Sequence, residues 1–265
     1  MSEHAVFVTG AGAGIGRAIA QRFAAAGWTV GLYDIDAAAA ETVAAEIGGP
    51  TVTGSFDVTD PTGWQDALAG FTAATGRLDV LVNNAGILVS GAFGEIPLAA
   101  QHRVLDVNLK GVLNGCHCAL PYLRATPGSR VVNLASASAL YGQPGLAAYA
   151  ASKAAVRSLT EALDLEWRHL GIGVSDVLPL FVATDMMDAV NRGADSAKSL
   201  GVHLTAADVA EQVWHAATRT RALDPHQLVG WQTKLLNAGM TISPGWLNRF
   251  VVGRLSHADT LGEPR

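Results

Sequence analysis

Tyr149 and Lys153 stand four positions apart, with Ser136 thirteen residues before the tyrosine, and these are the side chains whose types and spacing best suit chemistry. On a helix, positions i and i+4 share a face, so a phenol and an ammonium would lie side by side. A free tyrosine titrates near pH ~10. A phenol that exchanges protons near neutrality therefore needs a cation to stabilise its phenolate, and Lys153 can be that cation. The Ser136 hydroxyl can hold a substrate oxygen while the phenol gives or takes its proton, which is acid/base chemistry on an alcohol or a carbonyl. Standing alone, a Y-x-x-x-K pair is more often an incidental feature of an amphipathic helix, so its meaning depends on what else the chain carries.

The start of the chain carries a phosphate site. Ala5 to Thr9 is a short apolar, β-branched run of strand type, followed by Gly10-Ala11-Gly12-Ala13-Gly14-Ile15-Gly16 and a helical pattern from Arg17 to Ala26. Glycines let a backbone approach a ligand, and the unpaired N–H groups at a helix start favour an anion. The spacing is not G-x-G-x-x-G, because Ile15 stands where its third glycine would be. It reads T-G-x-x-x-G-I-G, with Gly10, Gly14 and Gly16 as the fixed positions. The next strand-like run ends in Asp34, about 20 residues past the glycines, where an acid can accept hydrogen bonds from an adenosine ribose. A carboxylate there repels the 2′-phosphate of NADP, and neither Ala13 nor Ile35 supplies the cation that phosphate needs. Arg17 is expected on the first helix, facing solvent or an acid. NAD is the expected cofactor.

With these residues in hand the chain resembles the short-chain dehydrogenase/reductase family. Further landmarks fall in order: Asp57-Val58, Asn83-Asn84-Ala85-Gly86, Asn108 in Val107-Asn108-Leu109-Lys110-Gly111, and the Ser136, Tyr149, Lys153 set. The resemblance implies a nicotinamide-dependent oxidoreductase with a Ser-Tyr-Lys-Asn catalytic set and no metal. It makes Tyr149 the general acid in ketone reduction and the base in alcohol oxidation, with Lys153 lowering its pKa and holding the nicotinamide ribose. Ser136, in preference to Ser138, polarises the carbonyl, and Asn108 orients a water behind the lysine. Asp57 and Val58 are expected to line the adenine pocket, with Asn84, Ala85 and Gly86 as backbone walls. The family usually has Pro-Gly-x-Val-x-Thr after the sixth strand, whereas this chain has Pro179-Leu180-Phe181-Val182-Ala183-Thr184. Val182 and Thr184 still suit the carboxamide and a phosphate, but Leu180 must place a side chain near the site.

Leu88, Gly91, Ser138, Tyr141, Gln143, Leu180, Phe181, Met186 and Met187 are the expected substrate lining. This largely apolar set suggests a hydrophobic secondary alcohol or its ketone, with Gln143 either touching a substrate polar group or facing water. Two alternatives stay open: another reaction on the same scaffold, on an activated alkene or as an isomerase, and a nucleotide-binding regulator without turnover.

Composition bounds the rest. A chain of 265 residues with 49% apolar content has ample material for a core. A net charge of −5 argues against a nucleic-acid partner, and no apolar run is long enough to span a bilayer. No signal peptide is expected, since Glu3 precedes a first apolar run of only five residues. Cys116 and Cys118 flank His117 in a helical run, where i and i+2 point apart; structural thiols in a reducing cytoplasm are expected, not a metal clip.

The elements that must position these residues alternate. Strand-like runs begin near Val6, Thr29, Thr51, Val80, Val131, Gly173 and Gln227. Helical patterns lie near 15–26, 36–47, 61–75, 97–106, 109–123, 148–169 and 206–218, with Asp36 as an N-cap. This alternation predicts an α/β fold: one Rossmann-like, doubly wound parallel sheet with helices on both faces, in a single domain over 1–265. A cofactor half covers about 1–125, a catalytic and substrate half about 126–230, a lid about 185–205 and a C-terminal amphipathic extension about 231–265. Within that extension, Trp246, Leu247, Phe250, Val251 and Leu255 recur at helical spacing after Pro244. Packing on its own or a neighbouring subunit is the favoured reading of that stripe; roofing the pocket and docking to a membrane are the alternatives, and membrane contact is not expected. The family resemblance also implies a symmetric dimer or tetramer through helices 97–123 and 148–169.

Overall fold

Every side chain of β1 (Ala5–Thr9) is buried. Successive strand residues point to opposite faces, so Val6 and Val8 enter one apolar layer while Ala5 and Phe7 enter another. A strand of this kind needs a sheet covered on both sides. The structure, a computed structural model, describes residues 3–183, 204–219 and 224–255. Its sheet holds β1, β2 (Thr29–Asp34), β3 (Thr51–Ser55), β4 (Val80–Asn83), β5 (Arg130–Leu134), β6 (Gly173–Leu178) and β7 (His226–Leu228). The order is β3-β2-β1-β4-β5-β6-β7, and every pairing is parallel. The chain runs outward from β1 to β3, then returns to place β4 on the other side of β1. That reversal opens a crevice above the carboxyl ends of β1 and β4, where ligands bind in such sheets.

One face is covered by α1 (Gly14–Ala25), α2 (Ala37–Ile47) and α7 (Ala206–Thr218). Phe23 meets Trp28 and Trp214 edge-on, with ring centres 5.1 and 5.0 Å away. The other face is covered by α3 (Pro61–Thr75), α5 (Gly111–Ala125) and α6 (Ala147–Trp167). There Phe7 stacks on Tyr33 at 4.1 Å and meets Phe71 edge-on at 5.4 Å. Cys116 and Cys118 point different ways, as their spacing requires: Cys116 is buried against Asn83, while Cys118 is half-buried near Pro61.

Three expectations change. The patterns near 97–106 and 109–123 are not separate helices: α4 (Leu98–Leu105) runs into α5 through a π turn, Asp106–Lys110. No glycine or proline lies between Leu98 and Lys110 to break the hydrogen-bond ladder, so the helix absorbs one extra residue instead of stopping. A helix that sequence periodicity left unassigned, α8 (Gly230–Ile242), precedes the expected C-terminal one, α9 (Gly245–Leu255). The stripe on α9 is not covered by the described residues, since Trp246 is 71% exposed and Phe250 62%. The expected lid falls almost wholly outside the described residues.

Candidate active site

The start of α1 differs from the starts of α2 and α3 on the sheet. Helices α2 and α3 each begin with an aspartate whose carboxylate accepts a backbone N–H, Asp36 from Ala39 at 3.1 Å and Asp60 from Thr62 at 2.9 Å. Helix α1 begins at Ala13, which offers no side-chain cap, and its first turn holds no acid. Its leading N–H groups are left for a ligand, and their partial positive charge favours phosphate. The turn before it is held from beneath. Gly10 takes a left-handed φ of 63°, and a Cβ on Gly16 would collide with the Gly10 carbonyl oxygen. Asn84 Nδ2 donates to the carbonyls of Thr9 at 2.8 Å and Gly10 at 3.0 Å, while Thr9 Oγ1 accepts the N–H groups of Asn84 and Ala85, each at 3.1 Å. Gly10, Ala13, Gly14, Ile15 and Gly16 all line one cavity of about 420 Å³, and Asn84, Ala85 and Gly86 form its next wall.

Asp34 sits at the end of β2 on the same cavity. Its Oδ2 accepts the Gly12 N–H at 2.9 Å and its Oδ1 that of Asp36 at 3.1 Å. The acid therefore fixes the glycine turn and retains lone pairs for a ribose hydroxyl. Ile35 is at the rim, 67% exposed. Arg17 turns away to Glu46 at 2.9 Å. Asp57 and Val58 line the cavity as expected, but Asp57 has a partner that sequence reading missed, Arg103 of α4, at 2.7 Å. Burial pushes the Asp57 carboxyl up, and bonds from Thr59 and Arg103 outweigh it, leaving the group below its ordinary range.

At the far end of the cavity the catalytic candidates converge. Ser136 follows β5, and Tyr149 and Lys153 share one face of α6 at its first turns. Ser136 stands close enough to the Tyr149 hydroxyl to lower its pKa. Lys153 Nζ lies 5.7 Å from the Tyr149 ring centre and donates to the Leu134 carbonyl at 2.6 Å. Burial pushes the Tyr149 phenol above 10.0, a rise that Ser136 only partly offsets, and pushes Lys153 down to about 8. Desolvation disfavours the charged form of both groups, and for the phenol it outweighs the influences that lower its pKa.

Asn108 does not line the cavity; it is fully buried in the π turn behind it. Its Oδ1 accepts the Ile87 N–H at 2.8 Å, and its Nδ2 donates to the Ile87 carbonyl at 2.9 Å and to Ser152 Oγ at 3.2 Å. Both amide protons are thereby used, which leaves one Oδ1 lone pair for a relay water. Gly86 fits between the two groups: a Cβ there would lie 3.2 Å from Asn108 Oδ1 and 3.7 Å from Lys153 Nζ.

Leu88, Ser138, Leu180 and Phe181 line the substrate end, with Leu146 added by the structure; Gly91, Tyr141 and Gln143 do not. Gln143 neither faces water nor meets the cavity. It is buried, and its Oε1 accepts the Ser138 hydroxyl at 2.6 Å. Ser138 Oγ lies 3.3 Å from Ser136 Oγ, so the two serines and the glutamine form one chain of polar groups. Leu180 joins Leu88, Leu146, Tyr149 and Phe181 in a small apolar cluster. The residue that replaces the family glycine thus becomes pocket wall. Pro179 and Val182 also line the cavity, while Thr184, Met186 and Met187 lie outside the described residues.

Comparison with known proteins agrees with this geometry. The sequence model of a family described as short chain dehydrogenase matches residues 4–195. The chain is similar to sulfoacetaldehyde reductase 2 of Chromohalobacter salexigens, 36% identical over 80% of this chain and 88% of the relative. It is also similar to meso-2,3-butanediol dehydrogenase of Serratia marcescens, 38% identical over 68% of this chain and 72% of that one. Among solved structures, a 3-ketoacyl-(acyl-carrier-protein) reductase from Brucella melitensis, complexed with NADH, matches with a TM-score of 0.79 and 29% identity, covering 86% of this chain and 96% of that one.

Proposed function

Because the chain belongs to the short-chain dehydrogenase/reductase family, we propose that it is an NAD(H)-dependent enzyme that interconverts a hydrophobic secondary alcohol and its ketone. The observation that carries this reading is the meeting, in one cavity, of an uncapped helix start with buried Ser136 and Lys153 and half-buried Tyr149. Relatives named for reducing an aldehyde and for oxidising a diol support the reaction class. A relative complexed with NADH supports a nicotinamide cofactor, and Asp34, with no cation at Ala13 or Ile35, favours NAD over NADP.

The residues fit a dinucleotide along the cavity. The N–H groups from Gly14 to Gly16 would hold the pyrophosphate, Asp34 the adenosine ribose, Asp57 and Val58 the adenine, and Lys153 the nicotinamide ribose. When bound, NAD(H) would supply or accept the hydride at the reacting carbon. Tyr149 and Ser136 would both direct hydroxyls at the substrate oxygen. In reduction Tyr149 Oη gives its proton to the ketone oxygen; in oxidation it takes the alcohol proton as a phenolate. That anion is costly where burial already raises the phenol, so the neighbouring Lys153 ammonium has most effect when the phenolate forms. Leu88, Leu146, Leu180 and Phe181 exclude water from the reacting carbon and favour an apolar substrate.

A panel of hydrophobic secondary alcohols, each with NAD+ and with NADP+, read at the NADH absorbance, tests this proposal. Ketone formed in step with NADH, with NAD+ preferred, is expected. No turnover of any alcohol or ketone, or a preference for NADP+, would contradict it.

A further inference from the structure

Helices α8 and α9 open with matching sequences, Gly230-Trp231-Gln232-Thr233-Lys234-Leu235 and Gly245-Trp246-Leu247-Asn248-Arg249-Phe250. Each places a tryptophan at position i, a cation at i+3 and a large apolar side chain at i+4, which share one helix face. That face is outward in both. Trp231, Leu235, Trp246 and Phe250 are 71, 65, 71 and 62% exposed, and Ile242, two turns beyond Leu235 on the same stripe, is 84% exposed. Few folded chains leave so many large apolar groups in water without using them.

Charge distinguishes the possible occupants. The chain carries a net charge of −5, yet no Asp or Glu occurs between Pro225 and Leu255, where Lys234, Arg249 and Arg254 all lie. Tryptophans flanked by cations suit the boundary between water and acyl chains, where an indole keeps its N–H wet and its ring dry. A second copy docked face to face would set these cations against their own equivalents. No helix of the described residues is long and apolar enough to cross a bilayer, so contact would be peripheral.

Position adds to this. β7 runs parallel to β6, so its carboxyl end lies on the same sheet edge as the site, and the Val229 N–H donates to the Leu178 carbonyl at 3.2 Å. A Cβ on Gly230, at the root of α8, would lie 3.1 Å from Leu204, which bridges to Val182 on the cavity wall.

We propose that α8 and α9 form a docking surface for an anionic lipid bilayer, inserting Trp231, Leu235, Trp246 and Phe250 at the interface while Lys234 and Arg249 meet lipid headgroups. This stands apart from the redox reading and is tested without turnover. The full-length protein is co-sedimented with vesicles of phosphatidylcholine containing phosphatidylglycerol, and with vesicles of phosphatidylcholine alone. Binding to the anionic vesicles, weakened by salt and accompanied by a blue shift of tryptophan emission, is expected. Lys234→Gln with Arg249→Gln should weaken partitioning about twenty-five-fold, since each basic residue near an anionic surface is worth roughly fivefold. Trp231→Phe with Trp246→Phe should abolish the blue shift, with the melting curve reporting that the fold is intact. Absence of binding to anionic vesicles at low salt, or binding indifferent to the charge pair, would overturn the proposal. So would a dimer by light scattering that dissociates in the Leu235→Ser, Phe250→Ser variant while vesicles capture neither protein; a second copy would then be the occupant.

Discussion

The two halves of the cavity use side chains in opposite ways. Around the glycine turn, side chains hold backbone so that backbone can hold a ligand: Asn84 binds two carbonyls of the turn, Thr9 accepts two N–H groups after β4, and Asp34 fixes Gly12. Around Tyr149, backbone holds side chains so that side chains can meet a substrate: the Leu134 carbonyl takes Lys153 Nζ, and Ile87 takes the Asn108 amide through both its N–H and its carbonyl. A phosphate is recognised well by a row of N–H groups, which stay in one protonation state. Proton exchange needs groups whose protonation can change, and these come from side chains. Substitutions in the first half should therefore appear as cofactor affinity, and those in the second as rate, except that Lys153, which would also hold the nicotinamide ribose, should affect both.

The largest expected effect is on rate. Tyr149→Phe keeps the ring and removes the proton-exchanging hydroxyl, so turnover should fall by about 10²–10⁴, the usual worth of a positioned acid or base. A variant that keeps more than about a tenth of the parent rate would remove Tyr149 from that role.

Next is Gly16→Ala, which drives a methyl into the Gly10 carbonyl and so moves the turn. NADH affinity should fall at least about tenfold, equivalent to roughly 1.4 kcal/mol, with a lowered melting temperature. An unchanged dissociation constant by fluorescence titration would show that the turn does not hold the cofactor.

Asp34→Ser combined with Ile35→Arg removes a repulsion and adds a cation at the rim. The ratio of NAD to NADP efficiency should drop by about an order of magnitude, roughly 1.4 kcal/mol. A ratio that does not move would assign the choice to other residues, with Arg103 first among them.

The smallest effect concerns pH and stability. Lys153 titrates near 10.5 when unfolded and near about 8 when folded, so between those values the unfolded chain holds more protons and stability rises with pH. Below about 8 the full cost of the buried ammonium is present. The melting-temperature advantage of Lys153→Met over the parent should therefore shrink as pH is raised from about 8 to 10.5. An advantage that stays constant over that window would mean that the buried lysine is not desolvated as described.

What could be read from the sequence was what is local and periodic. All seven strands begin within a residue or so of the positions that apolar runs indicate, and Ser136, Tyr149 and Lys153 meet because strand ends and one helix turn bring them together. Arg103 was invisible because its partner Asp57 lies 46 residues away on another element, and no periodicity records a long-range ion pair. The π turn at Asn108 left no mark, since one inserted residue needs no glycine or proline. Gln143 and Leu180 were legible as residue types but not as contacts. A glutamine in a loop gives no sign that it is buried against Ser138, and a leucine in place of glycine does not say which cluster it joins. Helix α8 was missed because nothing marks its start: Val229 precedes it and offers no side-chain cap, whereas Pro244 announces α9.

One pair of titrations separates the two halves most directly: NADH dissociation constants and turnover numbers measured together on Tyr149→Phe and Asn84→Ala. The expected result is a crossing, in which Tyr149→Phe binds NADH as the parent does and turns over poorly, while Asn84→Ala binds NADH weakly and recovers turnover when the cofactor is saturating. If both variants lose affinity and rate together, or if Asn84→Ala loses rate alone, the division of labour between backbone and side chains is wrong.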